Sequence, residues 1–258
     1  MKTIKTILLL IYFTSFIQNS VAQSSSNFGI NIGVSNVTSN ISNIYFAFVD
    51  ESPSQDRIET QFGVENKYNP IMVSPFYSST FDNNVEFNIK LDVGFSTDLR
   101  VFGSHLGLLK KFEVIEGSGL DIGIGADLSL SGAKVYLGNI HQNDLYIRIN
   151  GEDFYGSFLR THYKERQVSI NPQLRVSKVI NENFSILCNA GYRVPFLSFN
   201  GNVIFQGTDT DIENGSYAQT VSLRNQNIAL YVDGEEKNKN LFTQKGLFAE
   251  IGISFNLN

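Results

Sequence analysis

The segment Val85–Phe95, VEFNIKLDVGF, decides the fold class of this chain. Its odd-numbered residues are all apolar, and its even-numbered residues are polar or glycine. Because successive side chains of a β-strand point to opposite faces, this alternation predicts a strand with one apolar face and one polar face. A water-soluble barrel would turn the apolar face inward, whereas a membrane barrel would turn it outward into lipid. The alternation alone allows both arrangements.

Seven other segments repeat the alternation, and most are about 8–12 residues long. They lie at 28–35, 58–65, 101–112, 120–131, 168–177, 184–194 and 247–258. A tilted membrane-crossing strand needs roughly 9–11 residues, whereas ordinary globular strands are nearer 5–6. The pattern therefore predicts an all-β protein, a closed antiparallel up-and-down transmembrane β-barrel of eight strands. Two more extended segments, 43–49 and 70–78, leave ten strands as the alternative.

The connections between these segments predict which end of the barrel faces outward. Outer-membrane barrels have short periplasmic turns and long external loops. With both termini periplasmic, the long connections at about 132–166 and 195–245 fall on the external side. The link 69–84 is too long for its periplasmic position, and the link after residue 95 is unusually short for an external one.

The numbering of the apolar faces predicts two turns and one irregularity. A two-residue turn at Asp98 and Leu99, with Thr97 opposite Arg100, would keep the apolar faces of the third and fourth segments on one side. A loop of three residues, 180–182, would keep the apolar faces of the sixth and seventh segments on one side, because these faces require an odd number of loop residues. Pro172 cannot donate to a strand ladder, so we expect a bulge there.

The polar face favours an interior position over a solvated one. Its charges are of mixed sign with glycines between them, as expected for the filled interior of an eight-stranded barrel, where charges must be paired. They are Glu65, Lys67, Glu86, Lys90, Asp92, His105, Asp121, Asp127, Arg175, Arg193 and Glu250. Aromatic residues near strand ends match the girdles of a membrane barrel. They are Phe28, Tyr68, Phe95, Phe112, Phe184 and Tyr192.

The N-terminus MKTIKTILLLIYFTSFIQNSVAQ has the features of a secretory signal. Lys2 and Lys5 precede a short apolar stretch, and Ala22 ends a run of small residues, so we expect residues 1–22 to be removed and 23–258 to form one domain. The chain is acidic, with a formal net charge of −5, which argues against a nucleic-acid partner. Its one cysteine, Cys188, excludes an internal disulfide and is predicted to be an inert thiol on the apolar face.

The C-terminal sequence GLFAEIGISFNLN resembles the closing strand of small outer-membrane β-barrels of the OmpA/OmpX type. Alternating apolar residues end the chain, with Phe255 and Leu257 near the terminus, although Asn258 stands where that family usually has an aromatic residue. The resemblance implies a monomeric barrel in the outer membrane of a Gram-negative cell, inserted by the barrel-assembly machinery, with variable external loops. It implies no single function.

Three candidate chemistries remain weak. His162 lies in sequence near Glu152, Asp153 and Ser157, the best constellation for a lipid- or peptide-hydrolysing enzyme. His141 lies near Asp144 in the same region. Ser104 and His105 are adjacent on one strand, so the side chains of these two residues point to opposite faces and cannot form a dyad. The acidic run with Asp209, Asp211 and Glu213 resembles part of a calcium loop, but an acidic turn is the simpler interpretation.

We therefore predict a non-enzymatic outer-membrane barrel with a structural, adhesion or partner-binding role through its external loops. Its contacts would be outer-membrane lipid and an envelope or surface protein, and we predict no catalytic residue, cofactor or metal site. Three alternatives stay open: a small-solute channel, an outer-membrane hydrolase, and a soluble lipocalin-like barrel with its apolar face around a ligand.

Overall fold

A computed structural model describes residues 23–39, 43–49, 57–81, 83–141, 146–149, 151–155, 158–207, 218–222, 228–232, 234–237 and 239–257. The predicted signal segment and the acidic residues Asp209, Asp211 and Glu213 lie outside these ranges. Every regular element in the described ranges is a β-strand. The strands are β1 (Gln23–Ser35), β2 (Val37–Ser39), β3 (Asn43–Val49), β4 (Arg57–Gly63), β5 (Lys67–Tyr68), β6 (Ile71–Phe81), β7 (Val85–Phe95), β8 (Leu99–Glu113), β9 (Leu120–His141), β10 (Tyr146–Ile149), β11 (Glu152–Tyr155), β12 (Phe158–Asn181), β13 (Phe184–Ser198), β14 (Asn202–Gly207), β15 (Ala218–Ser222), β16 (Ile228–Val232), β17 (Glu235–Glu236), β18 (Phe242–Thr243) and β19 (Gly246–Leu257).

Eight strands pair into a closed antiparallel ring. The order is β1-β6-β7-β8-β9-β12-β13-β19, and β19 pairs with β1 to complete the circle. The ring therefore has eight strands, as predicted, and the other two strands of the sheet, β14 and β15, lie outside it. Of the two segments that left ten strands open, 70–78 falls mostly in the ring strand β6, and 43–49 is β3, outside the ring. No helix in the described ranges is long and apolar enough to cross a membrane.

The second ring strand is not the one that the sequence predicted. The segment 58–65 falls mostly in β4, which pairs with β3 outside the ring, whereas β6 takes the place beside β1. The segment 58–65 alternates, whereas β6 carries the apolar residues Met72 and Phe76 on its inward face and so has no clean alternation. Alternation shows which residues share a face but not which strand is the neighbour. With β6 in the ring the link to β7 spans only residues 82–84, so the connection that had been too long for its end of the ring becomes short.

The two predicted turns differ from the structure by small shifts. Phe95 pairs with Arg100, so the two residues at the β7–β8 turn are Thr97 and Asp98 rather than Asp98 and Leu99. Between β12 and β13, Ile180 has no partner and is followed by a two-residue turn. The unpaired residue and the two turn residues make three, the odd number that keeps both apolar faces on one side. Both turns keep the apolar faces on one side of the ring.

Pro172 does not sit at a bulge, which corrects the expectation from sequence. The pairs Ile170–Val194 and Gln173–Gly191 have the same register on either side of it. The β12–β13 ladder instead lacks the residue pairs at Asn171 and Pro172, because proline has no N–H to donate. The register shift nearest to Pro172 in this ladder lies between Val168 and Ser169, and the other is the one at Ile180.

Burial answers the question raised by the first segment. In β7 the side chains of Glu86, Asn88, Lys90 and Asp92 are buried, while Leu91, Val93 and Phe95 are exposed. The same arrangement holds around the ring, where the exposed apolar residues include Phe28, Ile32, Leu108, Leu128, Ile170 and Ile251. The ring therefore turns its charged face inward and its apolar face outward, the reverse of a water-soluble protein.

One end of the ring carries an apolar cap. The 132–166 and 195–245 regions, predicted as loops, consist largely of strand in their described parts: β9 and β12 extend upward, and β10, β11 and β14–β18 add to them. Together with β2–β5 they surround a buried cluster, the cap core. It comprises Val37, Ile44, Phe46, Phe62, Tyr68, Met72, Leu99, Val101, Ala133, Val135, Leu137, Ile140, Ile149, Phe154, Leu159, Tyr163, Val203, Phe205, Leu230, Val232, Leu241 and Phe242.

The cap explains which predicted face residues were placed wrongly. Tyr68 is buried in the cap core against Phe242 rather than exposed in an aromatic girdle, and Glu65 and Lys67 are exposed at β5, outside the ring. Eight of the other charged residues of the predicted polar face are buried in the ring, and Asp121 is half-buried near its lower rim. The error arises because residues 58–68 belong to the cap.

Candidate functional site

The interior of the ring holds a connected network of buried charged and polar side chains, the lumen network. His105 lies between two carboxylates, with Nε2 2.7 Å from Asp92 and Nδ1 3.2 Å from Asp127. Lys90 Nζ lies 2.7 Å from Glu250 and 3.6 Å from Asp92, which also accepts from Arg193 at 3.3 Å. Buried charges are stable only when paired and hydrogen-bonded, and these are.

The lower part of the network is built in the same way. Arg175 donates through Nε to Asn189 at 2.7 Å and through Nη1 to Glu86. Asn189 and Asn31 donate to the same oxygen of Glu250, at 3.3 Å and 3.1 Å. The network therefore ties strands on opposite sides of the ring to one another through its centre.

Aromatic rings fill the space that the lumen network leaves. Phe76 and Phe248 point inward, with Arg175 5.7 Å from the first ring centroid and Lys90 5.5 Å from the second. Opposite them stand glycines: a Cβ on Gly29 would lie 2.4 Å from Phe76, and one on Gly191 would lie 2.5 Å from Phe248. Glycine is needed at both positions because a side chain would occupy the volume of the ring.

Residues 239–244, the inner segment, close the upper mouth of the ring. The buried Glu165 carboxylate accepts from the backbone N–H groups of Asn240, Leu241 and Phe242, at 2.5, 3.0 and 3.4 Å, and from the Tyr163 hydroxyl at 3.0 Å. Burial raises the pKa of Glu165 above its usual value, and these donors oppose that rise. The last part of the predicted external loop 195–245 is thus folded into the mouth.

Gln244 joins the inner segment to the lumen network. Its side chain accepts from Arg193 at 2.6 Å, and its backbone exchanges two hydrogen bonds of 3.3 Å with the Gln167 side chain. The lumen network, the inner segment and the cap core therefore form one continuous packed column. A solute that crossed this ring would have to break charged hydrogen bonds at several levels.

A basic cleft opens on the outer face of the cap, beside the short β7–β8 turn. Its volume is about 720 Å³, and it is bounded by the turn residues 95–100 and by outward-facing side chains of β9, β12 and β14. Three cations line it, Arg100, Lys134 and Arg160, against one acid, Asp98. The cleft exists because β9 and β12 continue upward where β8 begins, which leaves their outer faces uncovered.

Strand pairing sets two cations of the cleft, Arg100 and Lys134, in line with a third cation beside the cleft, Lys164. Arg100 pairs with Lys134, and Lys134 pairs with Lys164, so three cations on three neighbouring strands stand directly opposite one another; we call these three the basic row. Lys164 Nζ also lies 5.1 Å from the Phe102 ring centroid. Burial and the neighbouring Arg100 lower the pKa of Lys134, and burial and Arg166 lower that of Lys164.

His162 lies in this cleft and not in an acidic site. Its ring is 5.4 Å from that of Tyr136, and burial together with Lys134, Arg100 and Arg160 lowers its pKa to about 4. Its Nδ1 is buried without a hydrogen-bond partner in the described ranges. The imidazole is therefore neutral at pH 7 and surrounded by cations.

Of the other residues of the predicted hydrolase constellation, the structure describes the side chain of Asp153 alone, and that side chain is engaged by Arg148. Asp153 pairs with Arg148 at 2.6 Å across the β10–β11 hairpin, and Ser157, like Asp144, lies outside the described residues. Glu152 is described only by its backbone pairing with Ile149. Within the described ranges, no group of three or more His, Cys, Asp or Glu residues is arranged to hold a metal ion.

The arrangement that the sequence analysis missed is the pairing of His105 with Asp92 and Asp127. Ser104 and His105 do point to opposite faces, with Ser104 exposed and His105 buried. Asp92, His105 and Asp127 all occupy positions whose side chains point into the ring on β7, β8 and β9. The alternation of these strands could therefore have placed the three residues on one face. Cys188, as predicted, is a free thiol exposed on the outer face.

Comparisons with known proteins give distant structural likenesses. No protein-family model and no curated protein matches the chain. Similar solved structures include the N-terminal β-barrel domain of Pseudomonas aeruginosa OprF, at 9% identity and a TM-score of 0.42, with 91% of this chain and 99% of that one covered. Neisserial surface protein A has 11% identity and a TM-score of 0.38, with coverages of 89% and 97%. OprG from Pseudomonas aeruginosa has 9% identity and a TM-score of 0.39, with coverages of 92% and 98%. The description of the ring rests on the strand pairing itself.

Proposed function

We propose that this chain is a transmembrane β-barrel of an outer membrane, with a closed lumen and a non-enzymatic role carried by its cap. The observation that carries the proposal is the reversed burial of the ring, whose charged face is inside and whose apolar face is outside. Phe28, Ile32, Phe95 and Leu108 are each exposed over about half their surface, and they lie on three different ring strands.

Lipid is the solvent that makes this reversal stable. Apolar surface left in water costs roughly 25 cal/mol per Å², and an apolar band around a whole ring far exceeds the patches that soluble monomers tolerate. The lipocalin-like alternative needs an apolar lining inside the ring, and there the ring has Lys90, Asp92 and His105. The apolar interior of this molecule is confined largely to the cap core above the ring.

The first experiment combines membrane fractionation with cysteine labelling. A folded membrane barrel stays in the outer-membrane pellet through a carbonate wash and changes its gel mobility on boiling. Cys188, the single cysteine, should resist a membrane-impermeant maleimide on intact cells until the membrane is dissolved and the protein denatured. A Cys188→Ser variant that carries Thr97→Cys at the β7–β8 turn should be labelled on intact cells. Release of the protein into the soluble fraction would refute the proposal.

A role in recognition or envelope structure follows from the build of the cap. Loops on a rigid barrel commonly carry binding functions, and here the upper connections are stiffened by β-pairing and by the cap core. Its partners would be outer-membrane lipid, an envelope or surface protein, and the assembly machinery during insertion. A deletion strain with normal envelope permeability and no altered surface association would count against this role.

The packed column argues against a small-solute channel. Lys90, Asp92 and His105 interlock at mid-ring, and Gln244 and Glu165 hold the inner segment across the mouth. We expect the purified protein to show no steady conductance in planar bilayers. Stable single-channel steps from the wild-type protein would favour the channel instead.

A further inference from the structure

The outer face of three ring strands changes from apolar to cationic toward the cap. Along β8, Leu108, Leu106 and Phe102 precede Arg100 on the same outward face. Along β9, Leu128 and Leu130 precede Lys134. Along β12, read toward its start, Ile170 is followed by the outward cations Arg166, Lys164 and Arg160. Five cations thus gather at the upper edge of the apolar band.

These cations are uncompensated within the described residues. None of Arg100, Lys134, Arg160, Lys164 and Arg166 forms an ion pair there, although the ring interior pairs its cations with acids. Asp98 is the one acid at the cleft, and it lies beyond ion-pair distance from all five. The surface therefore carries a concentrated positive charge in a chain whose net charge is −5.

An ordinary solvated face does not account for the basic row. Like charges directly opposite on neighbouring strands are destabilising, and here the repulsion occurs twice in succession. Lys134 and Lys164 are half-buried, so water screens them less than it screens fully exposed lysines. Their lowered pKa values, and that of His162, are consistent with an unsatisfied cationic field in the cleft. A bound anion would convert this repulsion into attraction.

The neighbouring apolar band indicates the kind of anion. A free anion would need only the cations, whereas an amphiphile would also place its hydrocarbon chains against Phe102, Leu106 and Leu130 directly below. Phosphate pairs strongly with arginine and lysine, and basic pockets at the membrane surface bind lipid headgroups. The open cleft of about 720 Å³ has room for more than one phosphate with its sugar or glycerol.

We propose that the basic row, in which Arg100 and Lys134 line the cleft and Lys164 pairs with Lys134 beside it, binds the phosphate groups of a lipid in the outer leaflet, with the acyl chains on the adjacent apolar band. This inference rests on the proposed membrane location of the barrel. Arg160 in the cleft and Arg166, two residues from Lys164 on β12, supply further donors, and the neutral His162 can donate one ring N–H to a phosphate oxygen.

The test is native mass spectrometry of the full chain in detergent with defined lipids. The probes are lipid A carrying both of its phosphates, the same glycolipid after dephosphorylation, and inorganic phosphate. The variant Arg100→Gln/Lys134→Gln/Lys164→Gln removes the basic row. The control Lys237→Gln/Lys239→Gln/Lys245→Gln changes net charge equally near β17 and β18. Heat-modifiable gel mobility establishes that each variant is folded, and the single variant Lys134→Gln replaces the triple variant if the latter fails to fold.

We expect the phosphorylated glycolipid to bind the wild-type and control proteins, and binding to the basic-row variant to fall by at least about tenfold. Equal binding of the dephosphorylated glycolipid, or unchanged binding by the basic-row variant, would overturn the inference. Inorganic phosphate that binds as tightly as the lipid would also overturn it, in favour of a soluble anion. A protein that inserts into membranes but ignores phosphorylated lipid would refute only this inference, whereas failure to insert would refute the proposed function.

Discussion

Replacing Lys90 by methionine tests whether the lumen network is dry and tightly paired. Methionine keeps a similar length and removes the charge that lies 2.7 Å from Glu250 and 3.6 Å from Asp92. Asp92 keeps His105 at 2.7 Å and Arg193 at 3.3 Å as partners. Among the described residues Glu250 keeps the neutral amides of Asn31 and Asn189 as its partners, so the uncompensated charge falls on Glu250.

The expected loss of unfolding free energy is about 3–5 kcal/mol, the usual cost of leaving one member of a buried ion pair without its partner. Adding Glu250→Gln removes the stranded charge and keeps an acceptor for the two asparagine amides. The double variant should therefore recover part of the loss, even though it has lost two charged groups. This reversal separates an ion-pair effect from the loss of packing against Phe248.

The assay is urea unfolding of the refolded protein in lipid vesicles. The chain has no tryptophan, so the folded fraction is followed by cold-gel mobility and by circular dichroism instead of indole fluorescence. Lys67→Met at the exposed strand β5 is the matched control and should change stability by less than about 0.5 kcal/mol. A Lys90→Met loss below about 1 kcal/mol would mean that water screens the network, and the packed-column argument against conduction would fail.

Three further outcomes follow from the same contacts. The pKa of His162 is lowered from 6.5 to about 4, so between these two pH values the unfolded chain binds a proton that the folded chain does not. As the pH falls through that window, the free energy of unfolding of the wild type should therefore decrease more steeply than that of His162→Gln, and parallel pH profiles would contradict this. Gly191→Val should reduce the folded yield sharply because a Cβ there would lie 2.5 Å from both the Phe248 ring and the backbone carbonyl oxygen of Pro172, and a folded yield equal to that of the wild type would refute the packing explanation. Glu165→Ala leaves three backbone N–H groups without their acceptor and should lower the free energy of unfolding by about 1–3 kcal/mol for each group that water cannot reach. Increased protease cleavage near Asn240 would report release of the inner segment, whereas an unchanged cleavage pattern would show that other contacts hold it.

The sequence determined the faces of the ring strands. Period-2 alternation shows which residues lie together, so the inward group of Lys90, Asp92 and His105 and the outward group of Leu91 and Phe95 were separable without coordinates. The short links and the strand lengths predicted an antiparallel ring of eight strands, with ten left open, and the structure has eight although β6 takes the place predicted for segment 58–65.

Only the tertiary structure decided which strands are neighbours and what lies above the ring. Segment 58–65 alternates and segment 71–81 does not do so cleanly, yet closure of the ring selects β6 as the partner of β1 and leaves β4 to the cap. Alternation fixes a face and not a partner, because pairing depends on contacts between residues far apart in the chain. The same reason hid the basic row, whose members Arg100, Lys134 and Lys164 are brought opposite one another only by the registers of β8, β9 and β12.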